Sequence, residues 1–196
     1  MGYSINFLKV IPKHIMAEGG WVKNELDPGK ETYKGIARTY NGGWMGWVRI
    51  DEAKTKPNFP ASLEQDSILR DQVYQLYYTQ YWQRMQLDLI NKLPVVEELF
   101  DQGAGPDGIT VAIKIVQGAL VLLKRDVKVD GVMGPKTAEV INSYPGVEDL
   151  VGMMNCLQFT HLLVGSNNVD EIIQMARDRL PQLKEFMRGW LRRITV

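Results

Sequence analysis

The stretch from Ile109 to Leu123 constrains this chain more than any other. It carries Ile109, Val111, Ile113, Ile115, Val116, Leu120 and Leu122, interrupted by the single charge of Lys114. Despite its β-branched residues it is too long for an ordinary strand and reads as a buried helix. It also falls short of the ~20 apolar residues that span a bilayer, so no stable membrane insertion is expected. A helix apolar on all sides needs other helices to cover it, and the rest of the chain supplies their patterns.

From Ile5 to Ala17 the apolar residues Phe7, Leu8, Ile11, Ile15 and Met16 recur at helical spacing, with Pro12 expected to kink or restart the helix. Ser62-Leu63-Glu64-Gln65 reads as a capping box opening a helix that runs to about Leu89. Pro94 opens a short helix, and Asp101 to Gly108 reads as a glycine-rich loop. Asp130-Gly131 is a turn, with Pro135 in a first helical position. Helices are then expected over Val147–Val164 and Val169–Arg192, the last kinked at Pro181. Between them, Asn24 to Gly46 is rich in Gly, Asn, Asp and Pro and predicts loops with a short β-hairpin around Tyr33 to Tyr40. The expected fold is mostly α with one loop-rich region near the N-terminus.

Composition narrows the function classes. The 196 residues suffice for one domain of ordinary size, or one with an appendage. Lys plus Arg number 23 and Asp plus Glu 23, so the basic surface that a nucleic-acid binder needs is absent. Cys156 is the lone cysteine, which excludes an internal disulfide. His14 and His161 stand without metal-ligand spacing, so no metal and no cofactor is expected. The N-terminus lacks the basic start and apolar stretch of a secretory signal, which predicts synthesis in the cytoplasm.

Chemistry concentrates between residues 18 and 60. Glu18 lies where an apolar helix meets Gly19-Gly20, and Ile15, Met16 and Trp21 can form a partly apolar pocket that favours the neutral acid. Such an acid can protonate a glycosidic oxygen as its bond breaks. Asp27, in a polar turn, could deprotonate a water or support the oxocarbenium charge, with the Thr32 hydroxyl helping to hold that water. Glu25 or Glu31 could take the place of Asp27. Taken alone, the pair reads more readily as a helix-end carboxylate on the surface and an ordinary turn residue. Trp21, Tyr33, Trp44 and Trp47 cluster in the same region and are candidate glycan-binding rings, whereas Trp82 and Trp190 read as core.

Glu18-Gly19-Gly20-Trp21, Asp27-Pro28-Gly29, Thr32 and Gly35-Ile36 together resemble the signature of glycoside hydrolase family 108, which runs E-G-G-aromatic, D-P-G-G, T-N-Y-G-I. Later segments resemble the family too: Tyr40 to Trp47, Tyr78/Tyr81-Trp82, Leu99-Phe100-Asp101, Gln117, Asp130 to Thr137 and Arg188 to Arg193. The sequence departs from the pattern at Lys30, in place of a second glycine, at Tyr33-Lys34, in place of Asn-Tyr, and in the Gly103–Gly108 segment.

The resemblance implies a lysozyme-like helical fold and an N-acetylmuramidase of the phage-endolysin or secretion-associated kind. Such an enzyme cleaves the β-1,4 bond between N-acetylmuramic acid and N-acetylglucosamine. It implies Glu18 as the catalytic acid and peptidoglycan as the partner, with action at the cell wall after release through a holin-like pore. Residues 1–97 are then the catalytic region, and 98–196 a helical region resembling a peptidoglycan-binding domain packed with the first. A lytic transglycosylase and a non-catalytic wall-binding or secretion-accessory protein are the alternatives.

Overall fold

The structure, a computed structural model, describes residues 2–24, 26, 28–164 and 168–178. It divides into two compact units, Met1–Gln80 and a second from Tyr81 onward. Glu25, Asp27, Pro181, Trp190 and the Arg188–Arg193 segment lie outside the described residues. The chain is mostly α, with a small antiparallel sheet near the N-terminus.

In the first unit, α1 (Ile5–Ala17) begins where the Ser4 hydroxyl accepts from the Phe7 amide at 3.3 Å. It runs unbroken through Pro12. The amide that Pro12 lacks would have served Leu8, on the exposed side of the helix, so the defect faces water. The buried side (Phe7, Val10, Ile11) packs against rings: Phe7 lies edge-on to Tyr78 at 4.9 Å and to Tyr74 at 6.0 Å.

Three strands follow where one hairpin was expected. β1 (Trp21–Lys23), β2 (Glu31–Tyr33) and β3 (Ile36–Ala37) pair in the order β1-β2-β3, with Trp21 opposite Tyr33 and Tyr33 opposite Ile36. Lys34 and Gly35 form the β2–β3 turn with φ of 49° and 78°. Positive φ at both central residues is the type I′ geometry that matches strand twist. Lys30 also adopts a left-handed conformation, φ 57°, at the position where the family pattern has glycine. Lys30→Gly is therefore expected to stabilise the first unit by about 1 kcal/mol, the cost of a left-handed residue bearing a Cβ, less the extra freedom of the unfolded chain. The urea midpoint checks it; an unchanged or lower midpoint counts against the strain.

A helix not read from the sequence, α2 (Gly46–Ala53), comes next. The expected capping box is replaced. Ala61–Gln65 forms a 3-10 turn and the Ser62 hydroxyl is buried without a hydrogen-bond partner. Asp66 instead caps α3 (Ser67–Tyr77), accepting from the amides of Ile68 at 3.1 Å and Leu69 at 2.9 Å. Its other oxygen holds Arg49 at 2.8 Å, a tie a serine could not make. The helix expected to reach Leu89 stops at Tyr77 as regular α-helix, and Gln86 turns left-handed at φ 50°.

In the second unit, α4 (Leu93–Ala104) carries Pro94 in its first turn and extends through Asp101, so the loop read at Asp101–Gly108 shrinks to 105–107. The apolar stretch is α5 (Gly108–Leu122), packed against both α4 and α7 (Val147–Val164), with Ile115, Val116, Ala119 and Leu120 fully covered. α6 (Pro135–Ser143) starts at its proline as expected. Residues 169–178 are helical. Among the described residues no helix is long and apolar enough to cross a membrane.

Candidate active site

Glu18 is the C-terminal cap of α1, its amide bonded to the His14 carbonyl at 3.0 Å. Gly19, at φ 79°, then turns the chain into the sheet. The carboxyl is 41% exposed and reaches back to within 3.9 Å of His14 Nε2. Its other oxygen packs over the β2–β3 turn. A Cβ added at Gly35 would lie 2.7 Å from Glu18 Oε2 and 2.5 Å from the Tyr77 hydroxyl. That hydroxyl donates to the Lys34 carbonyl at 2.8 Å, and the Tyr77 ring stands edge-on to His14 at 5.0 Å. α1, the β2–β3 turn and α3 therefore meet at one carboxyl group.

The apolar pocket expected around Glu18 is not what surrounds it. Met16 is 77% exposed, and Trp21 is turned toward Glu31, donating its indole N–H to Oε1 at 2.7 Å. His14, Tyr77 and the backbone of Gly35 take their place. Gly35 is thus the floor of the site, and Gly35→Ala is expected to cut turnover by about a hundredfold through displacement of the carboxyl. The same change costs about 1–2 kcal/mol of stability, because φ is positive there. Lysis rate and denaturation midpoint measured together check this; parent-like lysis removes Gly35 from the site.

Thr32 sits at the centre of β2, half-buried, between Val22 and Ala37. Its neighbours Glu31 and Tyr33 are buried, so strand alternation sends Thr32 to the other face of the sheet. Glu31 is taken up by structure. Its Oε1 accepts from Lys54 Nζ at 2.6 Å as well as from Trp21, and its Oε2 lies 3.1 Å from Arg38 Nε. Burial works to raise its pKa, but the hydrogen bonds from Lys54 and Trp21 and the charges of Lys54 and Arg38 outweigh it and hold the carboxyl below the usual range. Asp51 closes the network, bound to Arg38 at 2.8 Å and Lys54 at 2.7 Å. This carboxylate pins β2 to α2 and cannot also serve a water.

The four candidate rings separate. Tyr33 is 3% exposed and its hydroxyl donates to the Leu63 carbonyl at 3.4 Å; burial pushes its pKa up. Trp47 is 4% exposed, donates to the Asn41 carbonyl at 2.8 Å and carries Arg38 over its face at 4.5 Å. These two are core struts, a correction to their reading as glycan-binding rings. Trp21 and Trp44 are half-buried. Trp44 lines an open groove of about 550 Å³ between the loop 40–45 and α3.

Among the described residues no cluster of three His, Cys, Asp or Glu side chains is arranged to hold a metal ion.

The glycosyl hydrolase 108 family profile matches residues 11–105, a span that holds Glu18, the sheet and α3. A profile described as a predicted peptidoglycan domain matches residues 111–195. No protein with curated annotation matches the chain significantly. Among solved structures the fold is similar to that of SagA from Brucella abortus, with a TM-score of 0.56, 20% identity and 95% of each chain covered. Residues 11–105 thus match the glycosyl hydrolase 108 family and residues 111–195 a predicted peptidoglycan domain, and the first match marks the N-terminal region as a glycoside hydrolase.

Proposed function

We propose that the protein is a peptidoglycan hydrolase of the N-acetylmuramidase type, with Glu18 as general acid. The observation that carries this reading is the Glu18 carboxyl at the end of α1, held over the Gly35 turn beside the Tyr77 hydroxyl and still open to solvent. Glu18 gives its proton to the glycosidic oxygen as the C1–O bond breaks, and water adds to C1 of the N-acetylmuramic acid residue. Asp27 deprotonates or orients that water with help from Thr32, on the sheet face away from the Glu31 network. The N-terminal family match supports glycosidic chemistry, and the C-terminal match supports peptidoglycan as the partner and action outside the cytoplasm.

Catalysis belongs to the N-terminal region, read as 1–97, and wall contact to 98–196. Release through a holin-like pore delivers the enzyme to its substrate. Purified sacculi supply the test. The parent protein should lower their turbidity and release muropeptides with reducing ends at N-acetylmuramic acid. Products ending in 1,6-anhydro sugar would instead make the enzyme a lytic transglycosylase, with an internal hydroxyl in place of water. Binding to sacculi without release of any soluble sugar would leave only a wall-binding role.

A further inference from the structure

The groove lined by Trp44 lies away from the acid. Successive helical residues turn by about 100°, so Gln72 and Gln75 sit on the side of α3 away from Tyr77, which faces Glu18 and Gly35. The groove wall carries no Asp, Glu, Lys, Arg or His, although such charged and basic side chains crowd the rest of the first unit. Carboxamides take their place: Asn41 on the loop, Gln72 and Gln75 on α3, and Gln80 just beyond it.

We propose that this groove is a second glycan-binding site, specific for an uncharged N-acetylated stretch of sugar. The proposal rests on the glycan-cleaving function above for its ligand class, but not on Glu18. An uncharged wall gives nothing to a phosphate or to the carboxylates of a peptide. Carboxamides both donate and accept, which suits hydroxyl and acetamido groups. The Asn41 amide nitrogen is engaged with the Ala37 carbonyl at 3.1 Å, which fixes the side chain and orients its oxygen as the acceptor.

Trp44 supplies the apolar part. Its indole N–H donates to the Gln72 carbonyl at 3.3 Å, and its ring meets Trp47 edge-on at 5.2 Å. The ring is thereby fixed at little further entropic cost when the C–H face of a sugar packs on it. The volume of about 550 Å³ falls within the usual range for a small-ligand site. A glycan strand held here on one side of α3 keeps the enzyme on the wall between cleavage events on the other.

The test uses the full chain carrying Glu18→Gln, titrated with N-acetylglucosamine tetramer, with calorimetry and tryptophan fluorescence as readouts. Binding to this parent is expected. Gln75→Ala, a change at an exposed position, should weaken it about five- to tenfold, the worth of one hydrogen bond, and Trp44→Ala should weaken it further. Should Trp44→Ala fail to fold by circular dichroism, Gln75→Ala decides alone. No binding to the parent, equal binding to folded variants, or tighter binding of an acidic glycan such as oligogalacturonate overturns the proposal. The readout needs no turnover, so a Glu18→Gln protein that still digests walls would overturn the assignment of Glu18 and leave this test intact.

Discussion

Glu18→Gln is expected to reduce sacculus lysis by roughly a hundred- to ten-thousand-fold, the contribution of a positioned general acid. The amide has the size of the carboxyl and fits over Gly35 in the same way, but it has no acidic proton to give to the departing sugar oxygen. Stability should barely change. The side chain is 41% exposed, and His14 Nε2 stands 3.9 Å from it, beyond a good hydrogen bond. Release of reducing ends and the thermal midpoint, followed on the same preparation, separate the two effects. A variant that digests walls at the parent rate removes Glu18 from the mechanism. One that melts far below the parent makes the loss of activity structural.

Gln117→Ala is expected to destabilise the second unit by about 2–3 kcal/mol, because it removes a buried side chain and strips the buried Gly131 amide of its acceptor. Gln117 is 1% exposed and spends its whole amide on the Asp130 turn. Its oxygen accepts from the amides of Asp130 at 3.0 Å and Gly131 at 2.9 Å. Its nitrogen donates to the Asp130 carboxylate at 2.9 Å and the Val132 carbonyl at 3.0 Å. The hydrogen bond from Gln117, above all, holds the Asp130 carboxyl below the usual range.

Gly131 turns at φ 74°, and a Cβ there would press on Thr110 of α5. The turn from Asp130 to Val132 is thus tied onto α5 through Gln117. Urea denaturation followed by far-UV circular dichroism checks the prediction. A midpoint within a few tenths of a kcal/mol of the parent would show that water replaces the amide without loss.

Where physics is local, the chain could be read directly. α1, α5, α6 and α7 follow from apolar spacing and from a proline in a first turn; α1, α5 and α7 lie within a residue of their expected bounds, and α6 starts at its proline. Glu18 was legible because a helix end followed by two glycines has only one good conformation, and the chain must turn there. The same local rules misplaced the start of α3. Ser62 and Asp66 both offer a cap, and the decision fell to Arg49, seventeen residues away, which pairs only with a carboxylate.

α2 was invisible for a related reason. Its glycine-rich approach hides a helix whose C-terminal end is tied down through Asp51 and Lys54 to Arg38 and the buried Glu31. No residue type declares its own burial, so Tyr33, Trp47 and Trp44 read alike until packing sent two inward and left one on a groove. The sequence by itself determined α1, α5, α7 and the start of α6, the turn after Glu18 and the uncharged residues that α3 carries. Only tertiary structure decided that Gly35 and Tyr77 meet the acid, that Glu31 is spent on ion pairs, and which rings face solvent. Those outcomes depend on contacts between residues distant in the chain, and such contacts leave no periodicity behind.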